Sequence, residues 1–406
     1  MATRPETDEG IAAAVLDLAG IAADTSPEGS EAARRFAGAL RRAGLPLAAV
    51  TASGDAPAPI GRSAPDFAAA ARALDAPPER MVAVSANVAG VSEAATASFG
   101  TVVGLRAEQS GEAEARRHAL RAAGADLVAP GLDRLLLPDE SGLRTLATLP
   151  PVWDRLAPLA TQAADRGVAV FLDFDGTLAP IVADHRDAAL PEGMEAEIAA
   201  LAARCPTAIV SGRDLADVRV RVGVTAAIHA GSHGFDIVGP GGLAARPEAA
   251  ERFLPYLDRA EAALRDRLGE IEGAEVERKT FSVAVHFRSV AAADLPEVAR
   301  AVDAAAASPE LRKGRGRKVW EIQPRAEWDK GRAVAWLLDH TPMGGGGRLP
   351  VYVGDDLTDE DAFAVLAGRG LCLAVRGDNR PTLADATLEG PDDVRRLIGW
   401  LAGQPS

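Results

Sequence analysis

Short apolar runs alternate with Ala/Leu/Arg-rich stretches of helical period along most of the chain, a pattern that predicts βαβ units feeding parallel sheets. One such series covers residues 1–138. A proline-punctuated connector, "LPDESGLRTLATLPPVW", lies within and around 139–160, and a second series opens near "GVAVFLDFDG" and runs to residue 406. The reading is therefore two Rossmann-like α/β domains. Residues 241–325 break the rhythm of the second: "AEVERKTFSVAVHFR" alternates apolar and polar with period two, as one half-exposed antiparallel strand does. This stretch predicts a small α+β module inserted between 161–240 and 326–406. "GGGG" at 344–347 reads as a surface loop, since no Lys-Ser/Thr follows it to cradle a phosphate.

Composition narrows the function class. A chain of 406 residues with 48% hydrophobic and 25% charged positions is globular and too long for one ordinary core. A net charge of −14 argues against a nucleic-acid or anionic-membrane partner. Cys205 and Cys372 form neither a disulfide framework nor a thiolate metal cluster, and no His cluster is visible in the sequence. "MATRPETDEG" is charged and lacks a secretory apolar core, and no run of ~18 apolar residues is present. A soluble, cytoplasmic protein of unspecified oligomeric state is expected.

The chemistry gathers where predicted strands end. "GVAVFLDFDGT" is a buried strand closing on Asp173 and Asp175, which would face the same way if the strand continued. Two like charges there imply a cation. "PTAIVSGR" ends in Ser211, with Gly212 and Arg213 opening a helix, so that a hydroxyl and backbone N–H groups suit a phosphate oxygen. "EWDKGRAVAWLLDH" puts Lys330 at a helix start, and "LPVYVGDDLTDEDAF" ends a strand in Asp355 and Asp356, with Asp359, Glu360 and Asp361 beyond. Each segment alone reads as solvated surface. In the order acid pair, hydroxyl, lysine, acid pair, they describe phosphoryl transfer. A phosphate dianion attacked by a carboxylate needs its repulsion neutralised, by Mg²⁺ and by Lys330. Asp173 is then the nucleophile, Asp175 the acid and base, and Asp355 completes the metal site. Asp356 or Asp359 orients metal-bound water or Lys330.

These segments carry a resemblance. "DFDGT", "SGR", Lys330 and "GDDLTDEDAF" resemble the haloacid dehalogenase-like phosphatases. "LDFDGTLAPIV", "GSHGFDI", "VERKTFSVAVHFR" and "VWEIQPRAEWDKGRAV", in that order, resemble the trehalose phosphatase family within them, over about 161–406. The resemblance implies two haloacid dehalogenase-type domains, the second carrying the inserted module as a cap. It also implies Mg²⁺ held by Asp173, Asp355 and the main-chain carbonyl of Asp175, with Asp356 and Asp359 supporting the metal site. Ser211, Gly212 and Lys330 hold the phosphate. The implied reaction is hydrolysis of trehalose 6-phosphate, the last step of trehalose biosynthesis; sucrose phosphate or a glycosyl-phosphoglycerate is the alternative substrate. By the same resemblance Glu277, Lys279, Ser282, His286, Arg288 and Glu321 bind the disaccharide or hold the cap. The family's "EIRP" is "EIQP" here, which leaves Arg325 or Arg317 to replace an arginine at Gln323. Plainer readings stand beside these: His286 as a packed or solvent-facing residue, Glu277 and Lys279 as a surface ion pair, and "RKGRGRK" (312–318) as a solvated loop.

The first domain repeats the shapes without the groups. "AVLDLAGIAAD" has Asp17 at the nucleophile's position but Ala19 at the acid's. "GLPLAAVTAS" supplies Thr51 or Ser53 for the hydroxyl, Arg62 or Ser63 stands near the lysine's place, and Ser85-Ala86-Asn87 replaces the acid pair. A degenerate duplicate is expected, as in N-terminally extended actinobacterial members of the family.

Overall fold

A computed structural model of the chain describes residues 10–18, 27–51, 62–106, 113–182, 184–247, 250–316 and 318–404. Ala19, Ser53 and Arg317 lie outside them. The chain divides into two compact units, one of residues 2–149 with 377–383, the other of 150–376 with 384–406.

The first unit holds β1 (Ala13–Asp17), β2 (Leu47–Val50), β3 (Ser63–Ala64), β4 (Met81–Ser85), β5 (Thr101–Leu105) and β6 (Leu127–Ala129). They form a parallel sheet of order β3-β2-β1-β4-β5-β6. β1, β4 and β5 are buried along their whole length, as continuous apolar strands covered by helices on both faces should be. Phe67 and Phe99 meet edge to face at 5.6 Å in the core beneath.

The second unit opens with β7 (Val168–Leu172), β8 (Thr207–Val210), β9 (Ile228–Gly231), β10 (Asp236–Gly239) and β11 (Leu243–Ala245). Next comes a small antiparallel sheet of β12 (Glu275–Lys279), β13 (Ser282–His286), β14 (Leu311–Gly316) and β15 (Val319–Pro324), in the order β12-β13-β15-β14. Helices Leu254–Leu268 and Leu295–Ala305 accompany it, and Leu257, Leu264, Val298 and Val302 pack with Val283, Val285 and Ile322 in a core of their own. β16 (Leu349–Gly354), β17 (Leu371–Val375) and β18 (Ala386–Leu388) then complete the main sheet, β11-β10-β9-β8-β7-β16-β17-β18. Its parallel part, β9-β8-β7-β16-β17-β18, has the strand order of the first unit. In both units the chain reverses direction beside the first strand, where open α/β sheets bind ligands beyond the strands' carboxyl ends.

Three details depart from the expected pattern. "AEVERKTFSVAVHFR" is two strands: the chain turns at Thr280–Phe281 and β13 pairs back on β12, Lys279 opposite Ser282. β13 is then the inner strand between β12 and β15, so it is buried on both faces and its alternation has no solvent side to serve. "RKGRG" is an edge strand, β14, whose Lys313 donates to Asp303 (2.6 Å) and lies over the Trp320 ring; charge on an edge is compatible with a strand and guards it against further pairing. The main sheet also runs past residue 240, because β10 turns through Gly239–Gly242 and pairs with β11. Among the described residues no helix is long and apolar enough to cross a membrane.

Candidate active site

β7 is apolar and fully buried, and it stops where the charges begin. Asp173 follows it, its N–H donating to Val353 O of β16 (2.9 Å), with only 4% of the residue exposed. The chain then bends: Leu178 and Ala179 both donate to Phe174 O, and Gly176 takes φ +78°. A Cβ on Gly176 would lie 2.0 Å from Asp355 Oδ2, so only glycine lets this turn approach the end of β16. Because the strand does not continue, the two aspartates diverge, and the Asp175 side chain is 41% exposed. Arg213 grips its carboxylate with both arms, Nε to Oδ2 and Nη2 to Oδ1, each at 2.7 Å. The same guanidinium donates to Asp217 Oδ2 (2.8 Å) and His185 O (2.7 Å). A bidentate Arg–carboxylate fork fixes direction as well as charge.

Lys330 opens the helix Lys330–His340, whose N-cap Asp329 accepts from Arg332 N–H. The lysine is 3% exposed, and its Nζ donates to Asp173 Oδ1 (2.7 Å) and Asp359 Oδ1 (2.8 Å). These two carboxylates outweigh burial and hold Lys330 above its ordinary pKa. Asp359, fully buried, is the hub: Tyr352 Oη also donates to Oδ1 (2.7 Å), while Oδ2 accepts from the N–H groups of Asp355 (3.1 Å) and Asp356 (3.0 Å). It therefore shapes the "GDD" loop and aims Lys330 at Asp173. Asp356 turns its Oδ1 to the N–H of Leu357 (2.7 Å).

Asp173, Asp355 and Asp359 bring carboxylate oxygens within 4.8 Å of one another. Burial pushes Asp173 up to about 7, Lys330 opposing and Asp359 and Asp175 adding to it. Burial, with Asp173, Asp356 and Asp359 beside it, raises Asp355 well above the carboxylate range. One lysine does not balance this much negative charge. An all-oxygen donor set with surplus negative charge fits a hard divalent cation.

Ser211 directly follows β8 and is fully buried; its N–H donates to Ala230 O (2.9 Å) and its Oγ accepts from Arg213 N–H (3.1 Å). A Cβ on Gly212 would come within 2.9 Å of the His233 ring. His233 and Ser232 hold positive φ of 58° and 49°, and their N–H groups donate to Ser211 O and Arg213 O. Such strain persists only where surroundings impose it. Here it presents the imidazole, Nε2 lying 3.0 Å from Glu321 Oε2 on β15.

Glu321 also collects Gln323 Nε2 on Oε2 (2.7 Å), and Ser282 Oγ (2.6 Å) and Lys279 Nζ (3.1 Å) on Oε1. Burial raises its pKa, yet Lys279 and His233 dominate and leave it well below the ordinary value. The glutamine of "EIQP" thus steadies Glu321, and Arg325 instead donates to Leu311 O (3.3 Å). Lys279 pairs with Glu321 rather than with Glu277 in a surface pair. Glu277 meets His286 (2.8 Å), which is neither packed in a core nor free in solvent. Arg288 donates to Val182 O (3.4 Å). The small sheet is further fastened by Asp214, which accepts from Thr280 N–H and Ser232 Oγ. Sequence reasoning put Gly212 and Arg213 at a helix start, whereas the helix Leu215–Val222 opens behind Asp214; it assigned no part to the Arg213 side chain, Asp214, His233 or Tyr352. Arg213 and His233 lie inside "SGR" and "GSHGFDI", motifs already singled out, and Asp214 directly follows the first.

A family model described as trehalose-phosphatase matches residues 171–385. The chain is 42% identical over 338 residues to the trehalose-phosphate phosphatase of Mycobacterium marinum, covering 82% of this chain and 84% of that protein. It is 43% identical over 340 residues to the trehalose-phosphate phosphatase of Mycobacterium tuberculosis, with the same shares covered. Among solved structures, the C-terminal domain of C. albicans trehalose-6-phosphate phosphatase overlays 63% of this chain and 99% of its own length, with a TM-score of 0.55 at 23% identity, a likeness of fold. Parallel-sheet architecture, strand-end carboxylates around a buried lysine, and relatedness over most of the chain agree: it belongs to the trehalose-phosphatase family of enzymes.

Proposed function

We propose that the chain hydrolyses trehalose 6-phosphate to trehalose and phosphate through an aspartyl-phosphate on Asp173. The observation that carries this reading is the buried Lys330 bridging Asp173 and Asp359 beside Asp355, inside the segment that matches the family. Asp173 attacks phosphorus while Lys330 offsets the charge that builds on the transferring group. Asp175 donates a proton to the departing sugar oxygen, then takes one from the water that cleaves the acyl phosphate. Arg213 sets where that carboxylate rests between the two transfers. Ser211 and the N–H of Gly212 receive phosphate oxygens. Mg²⁺, held by Asp173, Asp355 and the Asp175 carbonyl, with Asp356 and Asp359 supporting that site, would supply charge neutralisation and alignment.

In this reading the β12–β15 module is a cap over the sugar, and Glu321, Lys279, Glu277, His286 and Arg288 line or brace the disaccharide pocket. Residues 1–138 are then a degenerate haloacid dehalogenase-like domain. Its strand order matches the catalytic sheet, but Asp17 Oδ2 accepts from Ser85 Oγ (2.7 Å) and Asn87 Nδ2 (2.8 Å) where Asp173 accepts from a lysine. The test is phosphate release, with Mg²⁺, from trehalose 6-phosphate, sucrose phosphate, glucose 6-phosphate and a glycosyl-phosphoglycerate. Trehalose 6-phosphate should lead in kcat/KM by at least about tenfold, a modest transition-state preference of ~1.4 kcal/mol. A higher value for any other substrate overturns the assignment.

A further inference from the structure

The chemistry above uses the main-chain carbonyl of His185 but gives no part to its imidazole. It stands in a short turn, His185–Asp187, on the loop that follows the catalytic strand, while His286 ends β13 of the small sheet. The two imidazoles stack with ring centres 4.4 Å apart and planes 2° from parallel. Both direct Nε2 at one carboxylate oxygen, Glu277 Oε2 on β12, at 2.8 Å from His286 and 3.5 Å from His185. The three donor atoms lie within 4.8 Å of one another, and each side chain is about a quarter exposed, so an ion can enter from solvent.

Two imidazoles face to face cannot both carry charge without repulsion. Burial in fact lowers the His185 pKa, against the attraction of Glu277, and favours the neutral form that binds metals. Burial raises Glu277, but the bond from His286 and the charge of Lys279 more than offset it, leaving an ionised carboxylate. On the far side of the His185 ring, Nδ1 lies 3.9 Å from Asp184 Oδ1, and Asp184 is itself held by Arg186 Nη2 at 2.8 Å. At that separation the carboxylate makes no hydrogen bond to the ring; its charge alone favours a proton on Nδ1 and so leaves Nε2 free to ligate.

We propose that His185, Glu277 and His286 form a second metal site, for a divalent ion of the Zn²⁺ class, which clips the catalytic loop to the small sheet. Two nitrogens and one carboxylate oxygen, with a fourth position open, are a zinc donor set. Mg²⁺ selects oxygen donors and disfavours this site, whereas Asp173, Asp355 and Asp359 offer oxygens alone. The two sites therefore separate by metal chemistry, and the inference does not depend on which sugar phosphate is hydrolysed. An ion here also removes Glu277 from any contact with substrate and fixes the small sheet on the loop, so it slows turnover.

The full chain in excess Mg²⁺ is titrated with Zn²⁺ by calorimetry and, in parallel, with Co²⁺ as a spectroscopic probe. The expected result is one Zn²⁺ bound per chain that Mg²⁺ does not displace, and strong visible Co²⁺ bands of a four-coordinate nitrogen-containing site. His185→Gln, on the catalytic loop, and His286→Gln, on the sheet, should each weaken Zn²⁺ binding by about tenfold or more and erase those bands. Circular dichroism checks that both variants fold. The Zn²⁺ concentration that halves turnover, read against each protein's own zinc-free rate, should rise by the same factor in His185→Gln. Zn²⁺ affinity unchanged in both variants, or a purely octahedral Co²⁺ spectrum in the parent chain, overturns the site.

Discussion

Asp359→Asn tests whether a buried carboxylate, rather than the shape of the loop alone, assembles the catalytic end of the sheet. Asparagine preserves volume but presents an amide nitrogen to donors on one side or the other. If the nitrogen faces Lys330 and Tyr352, two donors lose their acceptor; if it turns round, the N–H groups of Asp355 and Asp356 lose theirs. In either orientation Lys330, 3% exposed, loses one of its two counter-charges. Removing one partner of a buried charge pair costs about 3–5 kcal/mol; because relief of repulsion with Asp173 and Asp355 would offset part of this in a metal-free site, the unfolding is followed with Mg²⁺ present. Tyr352→Phe removes one neutral donor to the same oxygen and should cost only about 1 kcal/mol. All five tryptophans, Trp153, Trp320, Trp328, Trp336 and Trp400, belong to the second unit, so their fluorescence follows its unfolding alone. With a urea slope of about 2–3 kcal/mol/M, the Asp359→Asn midpoint should fall by about 1–2 M and that of Tyr352→Phe by less than about 0.5 M. Equal midpoints for the two variants would refute the hub, and parent-like turnover in Asp359→Asn would refute its hold on Lys330.

Arg213→Met should leave Asp175 without its fork and lower kcat by about 10–100-fold, part of what a placed acid and base contributes, with little change in KM; an unchanged kcat would contradict the positioning role. Glu321→Gln should destabilise the second unit by about 3 kcal/mol at pH 7. Since the folded-state pKa of Glu321 is depressed, that stabilisation is present above the ordinary carboxylate range and is lost as pH falls through the folded value. The gap between parent and variant should therefore close on acidification below about pH 4.5, and a gap that widens would be inconsistent with the network. Asp17→Asn should leave phosphate release unchanged, and a large loss would mean that the first unit takes part in the chemistry.

The strands that carry the site were legible because a parallel sheet buried on both faces writes continuous apolar runs, and β7, β8 and β16 each stop at a polar residue for which the interior offers no solvent. Asp173, Ser211 and Asp355 could be picked out for that reason, and Lys330 because it opens an amphipathic helix. The hairpin of β12 and β13 was not legible, since period-two alternation runs straight through a tight turn that has neither glycine nor proline. Nor were the partners of the charged groups. Which acid Arg213 grips, and whether Lys279 pairs with Glu277 or Glu321, depends on how loops from β7, β8, β9 and β15 meet, and spacing along one strand does not encode that. The His185–His286 stack escaped for the same reason: the two residues are a hundred positions apart and each stands alone in its segment.

The claim at the centre is that Asp173 itself takes the phosphoryl group of a trehalose monoester. The direct measurement is rapid acid quench of the Mg²⁺-supplemented chain with phosphate-labelled trehalose 6-phosphate, followed by peptide mapping of any label retained on protein. Label is expected on the peptide bearing Asp173 in the first turnover, chased off by unlabelled substrate and absent in Asp173→Asn. Label on another residue, or label that persists in Asp173→Asn, would contradict it.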